Sequence, residues 1–218
     1  VIPTVTVVMT AFNRAGLIPR AWTSLINGGG DGVDWELVVV DDGSTDETAA
    51  TIGKMRSTGD ERLRYLWQPN GGLVAARNAG IKAARAELVT FLDSDDEYAP
   101  SHLAARLRMF DEPTANPLDL VHGGVEIVGG PDWVPDKFDP KRRIPIAECY
   151  VGGTFVFRRT LWEKLGGFRL PNYGDDHDFM TRAVDQGAAV SRCDLPTYIY
   201  HRESPDSLCN TQQEGMSE

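Results

Sequence analysis

The chain is poor in cysteine. Cys149, Cys193 and Cys209 are the full set, an odd number with no CxxC pair. That argues against a disulfide framework or a paired-thiolate zinc site and fits a reducing compartment. Long apolar runs are missing too: none approaches the ~18–20 residues of a membrane span. No signal-peptide pattern opens the chain. It starts at Val1 rather than Met, as an excised domain would, which leaves an anchor or a further domain open. Positive charge is scarce. Lysine and arginine number 22 against 32 acidic residues, for a formal net charge of -10. Bulk attraction to nucleic acid or to an anionic membrane is therefore not expected. A phosphorylated ligand would need a local cation: a metal ion, a helix N-terminus or a few placed arginines. Neither GxGxxG at the first turn nor GxxxxGK[ST] is present, so dinucleotide and P-loop binding lack their fingerprints.

What is present is ordinary for a globular chain of 218 residues, 41% hydrophobic and 25% charged. The length suits one large domain or two small ones. The first half alternates. "TVTVVM" (4–9), "WELVVV" (35–40), "LRYLWQ" (63–68) and "ELVTFL" (87–92) read as strands. Between them, "LIPRAWTSLIN" (17–27), "STDETAATIGKMR" (44–56) and "GGLVAARNAGIKAAR" (71–85) read as helices. Ser44 and Glu47 form a capping-box pattern at the second. Strand–helix alternation of this kind predicts an α/β fold with a mainly parallel sheet covered on both faces. In such sheets ligands bind beyond the carboxyl ends of the strands. The clusters "TAFN", "DDGST", "QPNGG" and "DSDDE" each follow a strand and should converge there.

The second half is less regular. A helix is expected from Pro100 to Asp111, and strand over "LDLVHGGVEIV" (118–128). "GGPDWVPDKFDPKRRIP" (129–145) reads as an exposed loop. "TFVFRRTLWEKLGGF" (154–168) reads as a strand running into a helix ended by Gly166 and Gly167. "GDDHDFMTRAVDQG" (174–187) is a short helix, "TYIYH" (197–201) a late strand, and 204–218 a polar tail. The layout is a single domain, with 1–98 forming a ligand-binding half and 99–203 the half that completes the site.

The acids raise the chemical question. Asp93, Asp95, Asp96 and Glu97 crowd the end of a buried-looking strand, where like charges repel. A solvated turn is one reading. A calcium loop of the EF-hand type is another, and it fails because Gly is missing at the sixth position and Glu at the twelfth. A hard-cation site is the third: carboxylates two residues apart can face one divalent ion and leave places for phosphate oxygens. Asp41 and Asp42 form a second strand-end pair. They serve either as turn and cap, or as acceptors for a nucleobase imino N–H. Phe12 is either a core residue or a face for a base. Arg77 is either an ion pair between acidic loops or a phosphate contact.

"VTVVMTAFNR", "LVVVDDGSTDET", "NGGLVAARNAGIKAARAELVTFLDSDD", "GGTFVFRRTLWEKLGGF" and "GDDHDFMTRAV" occur in that order. Together they resemble glycosyltransferase family 2, with the Rossmann-like glycosyltransferase-A fold, over residues 4 to 201. The resemblance implies a nucleotide-sugar donor, a hydroxyl acceptor (a glycan, a lipid-linked or a small molecule) and Mn²⁺ or Mg²⁺. Thr10, Ala11, Phe12 and Asn13 would surround the base, with Phe12 standing where Tyr is common. Asp42 would bind the base, often uracil. Gly72, Arg77 and Ser94 would complete the nucleotide site. Asp93-Ser94-Asp95 matches the DxD motif, with Asp95 the main metal ligand and Asp93 reaching the ribose or metal-bound water. Asp96, Gly153 and Asp175 would face donor sugar or acceptor, and Asp176 would be the general base. Asp175 stands where the family usually has Glu. His201 resembles a late histidine that touches metal or diphosphate in some members. Trp133 and Tyr150, from the 129–145 loop and "CYVGGT" (149–154), are the expected acceptor contacts.

The resemblance implies an inverting, metal-dependent transferase of polysaccharide or glycoconjugate synthesis. It would be cytoplasmic, with peripheral association at the inner membrane face open, and with no nucleic-acid partner. A non-catalytic sugar-binding module and a sugar nucleotidyltransferase are the alternatives. The latter should carry a Gly-rich, Arg-containing loop after strand one, which "TAFNRAG" is not.

Overall fold

The computed structural model describes residues 2–113, 115–136, 139, 142–169 and 174–203. Cys209, the expected tail and part of the "DKFDPKRR" run lie outside them. The first half holds strands β1 (Val5–Ala11), β2 (Trp35–Asp41), β3 (Leu63–Trp67) and β4 (Leu88–Phe91). Between them lie helices α1 (Ile18–Ser24), continued by a π-helical turn over Leu25–Gly29, α2 (Thr48–Arg56) and α3 (Leu73–Ala83). Then follow β5 (Glu97–Tyr98), α4 (His102–Asp111), β6 (Leu120–His122), β7 (Val125–Val128), β8 (Trp133–Pro135) and β9 (Arg143–Pro145). The remainder comprises β10 (Val156–Arg158), α5 (Arg159–Leu165), α6 (Asp175–Asp185), β11 (Val190–Arg192) and β12 (Tyr198–His201).

The main sheet has the order β11-β6-β10-β4-β1-β2-β3. Its pairings are parallel except where β10 lies antiparallel between β6 and β4. A smaller sheet runs β5-β12-β7, and β8 pairs with β9 as a hairpin. The β-branched runs are buried on both faces, as a helix-covered parallel sheet demands. Val5, Val7 and Met9 of β1 pack with Ile18, Trp22 and Ile52, while Val8, pointing the other way, packs with Ile81 and Phe91. Helix α3 lies so close to β1 that a Cβ on Gly80 would stand 2.3 Å from Val8 Cγ1. Only hydrogen fits there.

Several expectations change. Helix α2 begins at Thr48 without a side-chain cap. Ser44 does not form the capping box, because its Oγ accepts from the Asn13 N–H at 2.9 Å. The single strand expected over 118–128 is two strands in different sheets, split at Gly123 and Gly124, whose φ of 93° and 76° break the extended backbone. The loop at 129–145 contains the β8–β9 hairpin, anchored by buried Val134 and followed by buried Ile146. Strands β5 and β11 were not expected. Each is short, with too few residues for a period to register.

Candidate active site

The carboxyl ends of β1, β2 and β4 arrive together, with Ala11 in register with Asp41 and Val8 with Phe91. Beyond them opens a cleft of roughly 1020 Å³, at the upper end for a small-molecule site. Its lining includes Thr10, Ala11, Phe12, Asn13, Asp42, Gly72, Arg77, Asp93, Ser94, Asp95, Asp96, Asp175 and Asp176. The chain segments that sequence reasoning picked out separately are thus brought to one place.

At one end Phe12 is 45% exposed, so it presents a ring face to the cleft rather than filling the core. Asn13 takes a left-handed backbone (φ 56°). Its Oδ1 accepts from the Thr45 N–H at 2.8 Å and the Asp46 N–H at 3.3 Å, tying the loops after β1 and β2 together. The two neighbouring acids divide the labour. Asp41 is buried beneath the cleft and accepts from the Ser44 N–H and the Tyr65 hydroxyl. Asp42 reaches the lining, where Oδ1 accepts from Gln68 Nε2 (2.6 Å) and Gly71 N–H (2.9 Å), and Oδ2 from Gly72 N–H (2.8 Å).

In the middle, buried Arg77 donates Nη1 to Asp175 Oδ2 at 2.6 Å and Nη2 to Asp93 Oδ1 at 3.3 Å, with Phe91 and Phe168 under its guanidinium. Burial works against that charge, but Asp175, then Asp93 and Asp176, overcome it and raise the pKa. The ion-pair reading of Arg77 is therefore what the geometry shows. Asp96 is buried, with Oδ2 taking the Tyr198 hydroxyl at 2.7 Å and Oδ1 the His201 N–H at 2.8 Å. Burial, then Asp95 and Asp93, push its pKa well above the usual carboxylate range.

At the other end, α6 starts with Asp175 and Asp176. The helix dipole should lower the pKa of Asp176. The opposite occurs. Enclosure in the cleft wall, then the charge of Asp175, push it up to about 6. Arg77 and the amides of His177 (2.7 Å) and Gly152 (3.2 Å) restrain the rise. Tyr150 and His177 flank this carboxylate with ring centres 5.8 Å apart. Val134 and Pro135 line the cleft, but Trp133 of the same strand is stacked on Arg143 at 4.0 Å and is not part of the lining.

Two expected site residues are not brought into the lining. Gly153 is buried behind it, where a Cβ would stand 2.1 Å from the Tyr198 hydroxyl. It makes room for Tyr198 instead of contacting ligand. His201 has both ring nitrogens engaged at 2.7 Å, Nε2 with Glu97 and Nδ1 with Glu203, so in this arrangement both are taken up by carboxylates rather than turned to an ion beside Asp95. Among the described residues, no three carboxylate, imidazole or thiolate groups stand gathered as a ready metal cage. Sequence reasoning missed Tyr198, which also contacts Asp93 at 3.3 Å, and Tyr200 and Asn70, which line the cleft. The period-two spacing of Tyr198 and Tyr200 was the available signal, since alternate strand residues share a face.

A sequence profile of glycosyl transferase family 2 matches residues 6–166. The chain belongs to glycosyltransferase family 2. Among curated relatives, the uncharacterized glycosyltransferase EpsJ of Bacillus subtilis is 30% identical over 225 residues, which cover 95% of this chain and 63% of that protein. The poly(ribitol-phosphate) beta-N-acetylglucosaminyltransferase TarP of Staphylococcus aureus is 32% identical over 69% of this chain and 45% of its own length. This family 2 chain thus spans less than two thirds of these relatives. Among solved structures, S. aureus TarS 1-349 with UDP-GlcNAc superposes with a TM-score of 0.73 at 22% identity, covering 94% of this chain and 60% of that one. The Pyrobaculum calidifontis mannosyltransferase PcManGT, with GDP-Man and Mn²⁺, gives 0.72 at 23% identity, covering 97% and 60%. Both share the glycosyltransferase-A fold.

Proposed function

We propose that this family 2 protein transfers a sugar from a nucleoside-diphosphate sugar, a UDP-sugar, to a hydroxyl of a glycan acceptor, inverting the anomeric centre with Mn²⁺ or Mg²⁺ bound. One observation carries the reading. Asp176, its pKa pushed up to about 6, shares one cleft with the Asp93–Asp95 edge and an open aromatic face. A base poised near neutrality, an acid edge for a cation and a seat for a base are what this reaction needs. The N-acetylglucosaminyltransferase TarP among the relatives and the nucleotide-sugars held by the structural neighbours support the same reading.

In this reading the residues take the following roles. Phe12, with Thr10 and Ala11, packs on the nucleobase. Asp42 Oδ2 has one donor, Gly72 N–H, and keeps acceptor capacity for an imino N–H. Asn13 shapes that loop. Asp93 reaches the ribose, and Ser94, in the cleft lining, completes the nucleotide site. Asp95, with Asp93 beside it, would hold the cation. Hard carboxylate oxygens suit Mn²⁺ or Mg²⁺; burial first lifts the pKa of Asp96, and the repulsion that Asp95 and Asp93 add to it is what a divalent ion would relieve. When bound, the ion supplies Lewis-acid stabilisation of the leaving diphosphate. Asp176 accepts the proton of the acceptor hydroxyl. That oxygen bonds to the anomeric carbon as the bond from that carbon to the diphosphate oxygen breaks, and the nucleoside diphosphate departs with the bonding pair. Tyr150 and His177 bound the space from which the acceptor approaches. Arg77, its charge committed to Asp93 and Asp175, orders the carboxylates.

Thermal-shift titration with UDP-GlcNAc, with and without Mn²⁺, tests this, because only a ligand that binds the folded state raises the melting temperature. A shift is expected with metal present, and Asp95→Ala should abolish it together with release of UDP. Turnover retained in Asp95→Ala would sink the reading. Metal-dependent binding without UDP release, across glycan acceptors, would favour the binding-module alternative.

A further inference from the structure

Against the acidic loop, and outside the cleft lining, lies a second charge cluster that the proposed reaction does not use. Arg20 extends from α1, its side chain 33% exposed. Its Nη2 donates to the main-chain carbonyl of Asp95. Its Nε stands 3.6 Å from Glu97 Oε1 and its Nη1 stands 3.6 Å from Glu203 Oε1. His201 closes the figure, with Nε2 at 2.7 Å from the same Glu97 oxygen and Nδ1 at 2.7 Å from the same Glu203 oxygen. A guanidinium, an imidazole and two carboxylates alternate around a square. The His201 main-chain N–H then grips Asp96 Oδ1 at 2.8 Å. The acidic loop is therefore held at consecutive residues: the Asp95 carbonyl by Arg20, the Asp96 carboxylate by His201 and the Glu97 carboxylate by both.

We propose that Arg20 is a positioning residue for the transfer reaction. From outside the cleft it fixes the Asp95–Asp96 peptide, so that the Asp95 side chain faces the cation seat before any ligand arrives. This rests on the proposed role of Asp95. The physical case is that four acids in a short loop splay apart unless opposed. Arg20 opposes them without entering the cleft. Its planar fork reaches a carbonyl and two carboxylates at once, which an ammonium cannot copy. The guanidinium touches neither donor nor acceptor in this arrangement, so its effect passes through Asp95.

The test compares Arg20→Ala, Arg20→Lys and wild type, using Mn²⁺ with UDP as the probe in calorimetry and hydrogen exchange of residues 94–98 in the free protein. Arg20→Ala should weaken Mn²⁺–UDP binding about tenfold, the effect of losing one charge-assisted bond. It should speed exchange at those amides and raise the donor KM more than it lowers kcat. Arg20→Lys should recover part of the affinity. Should Arg20→Ala fold poorly, Glu203→Gln, which removes one corner of the square, is expected to show the same loosening. Wild-type affinity with unchanged exchange in Arg20→Ala would overturn the proposal. If wild type binds no Mn²⁺–UDP, the donor reading falls. The exchange arm still judges the clip, and unaltered protection in Arg20→Ala would sink it separately.

Discussion

Asp176 stands at a helix start, where charge is favoured, and within a cleft wall beside Asp175, where it is not. Desolvation and the neighbouring carboxylate win, and the pKa rises to about 6. Wild-type kcat/KM should therefore fall as pH drops through about 6. Asp176→Asn should lose turnover by about 10²–10⁴-fold and leave no such limb in its residual rate. Stability carries the opposite sign. The pKa of Asp176 is raised above the 3.8 of an unperturbed carboxylate, so the stability tied to its proton is present below that value and lost as pH rises through about 6. Asp176→Asn should then melt about 2–4 °C higher than wild type at pH 8 and no higher at pH 3.5, checked by calorimetry at both. Asp176 could be singled out as the candidate base through the family pattern. Its basicity was not legible there, because the enclosure and the Arg77–Asp175 pair, which spans 98 positions, exist only after folding.

At the scale of elements, strands with strong β-branched periodicity and the Ala-rich α3 read directly from the sequence. Elements whose residues serve a partner did not. Ser44 looked like a cap, but its hydroxyl is committed to Asn13. The run 118–128 looked continuous, but two left-handed glycines send β6 and β7 into separate sheets. Strand β12 reaches both the acidic loop and the cleft. Tyr198 holds Asp93 and Asp96, Tyr200 lines the cleft, and Gly153 leaves the space that the Tyr198 ring fills. Gly153→Ala should displace that ring. We expect a loss of about 1–3 kcal/mol in urea unfolding and a raised donor KM. Tyr198→Phe, which keeps the ring but not its hydroxyl, should raise KM with a smaller loss of stability.

Across the whole molecule, Arg77 is a buried ion that joins the loop after β4 to the start of α6. Its partners Asp93 and Asp175 come from the two halves of the chain. Removing it strands a buried carboxylate. Arg77→Ala should cost about 3–5 kcal/mol by urea denaturation at pH 7. Arg77→Lys should recover only part of that, since an ammonium cannot bridge both acids with one planar fork. The sequence leaves ion pair and phosphate contact open for this residue, and the ion pair appears only once α6 brings Asp175 to it.

The reversed strand β10 bears on biosynthesis. Strands β1 to β4 are complete once Phe91 has been made, and they can zip together on the emerging polypeptide. Thr90, however, faces Val156, so the flank of β4 stays bare until much later residues leave the ribosome. Distant pairings of this kind close slowly. An unpaired flank is also where sticking begins, so the nascent chain is most in need of a chaperone during that interval.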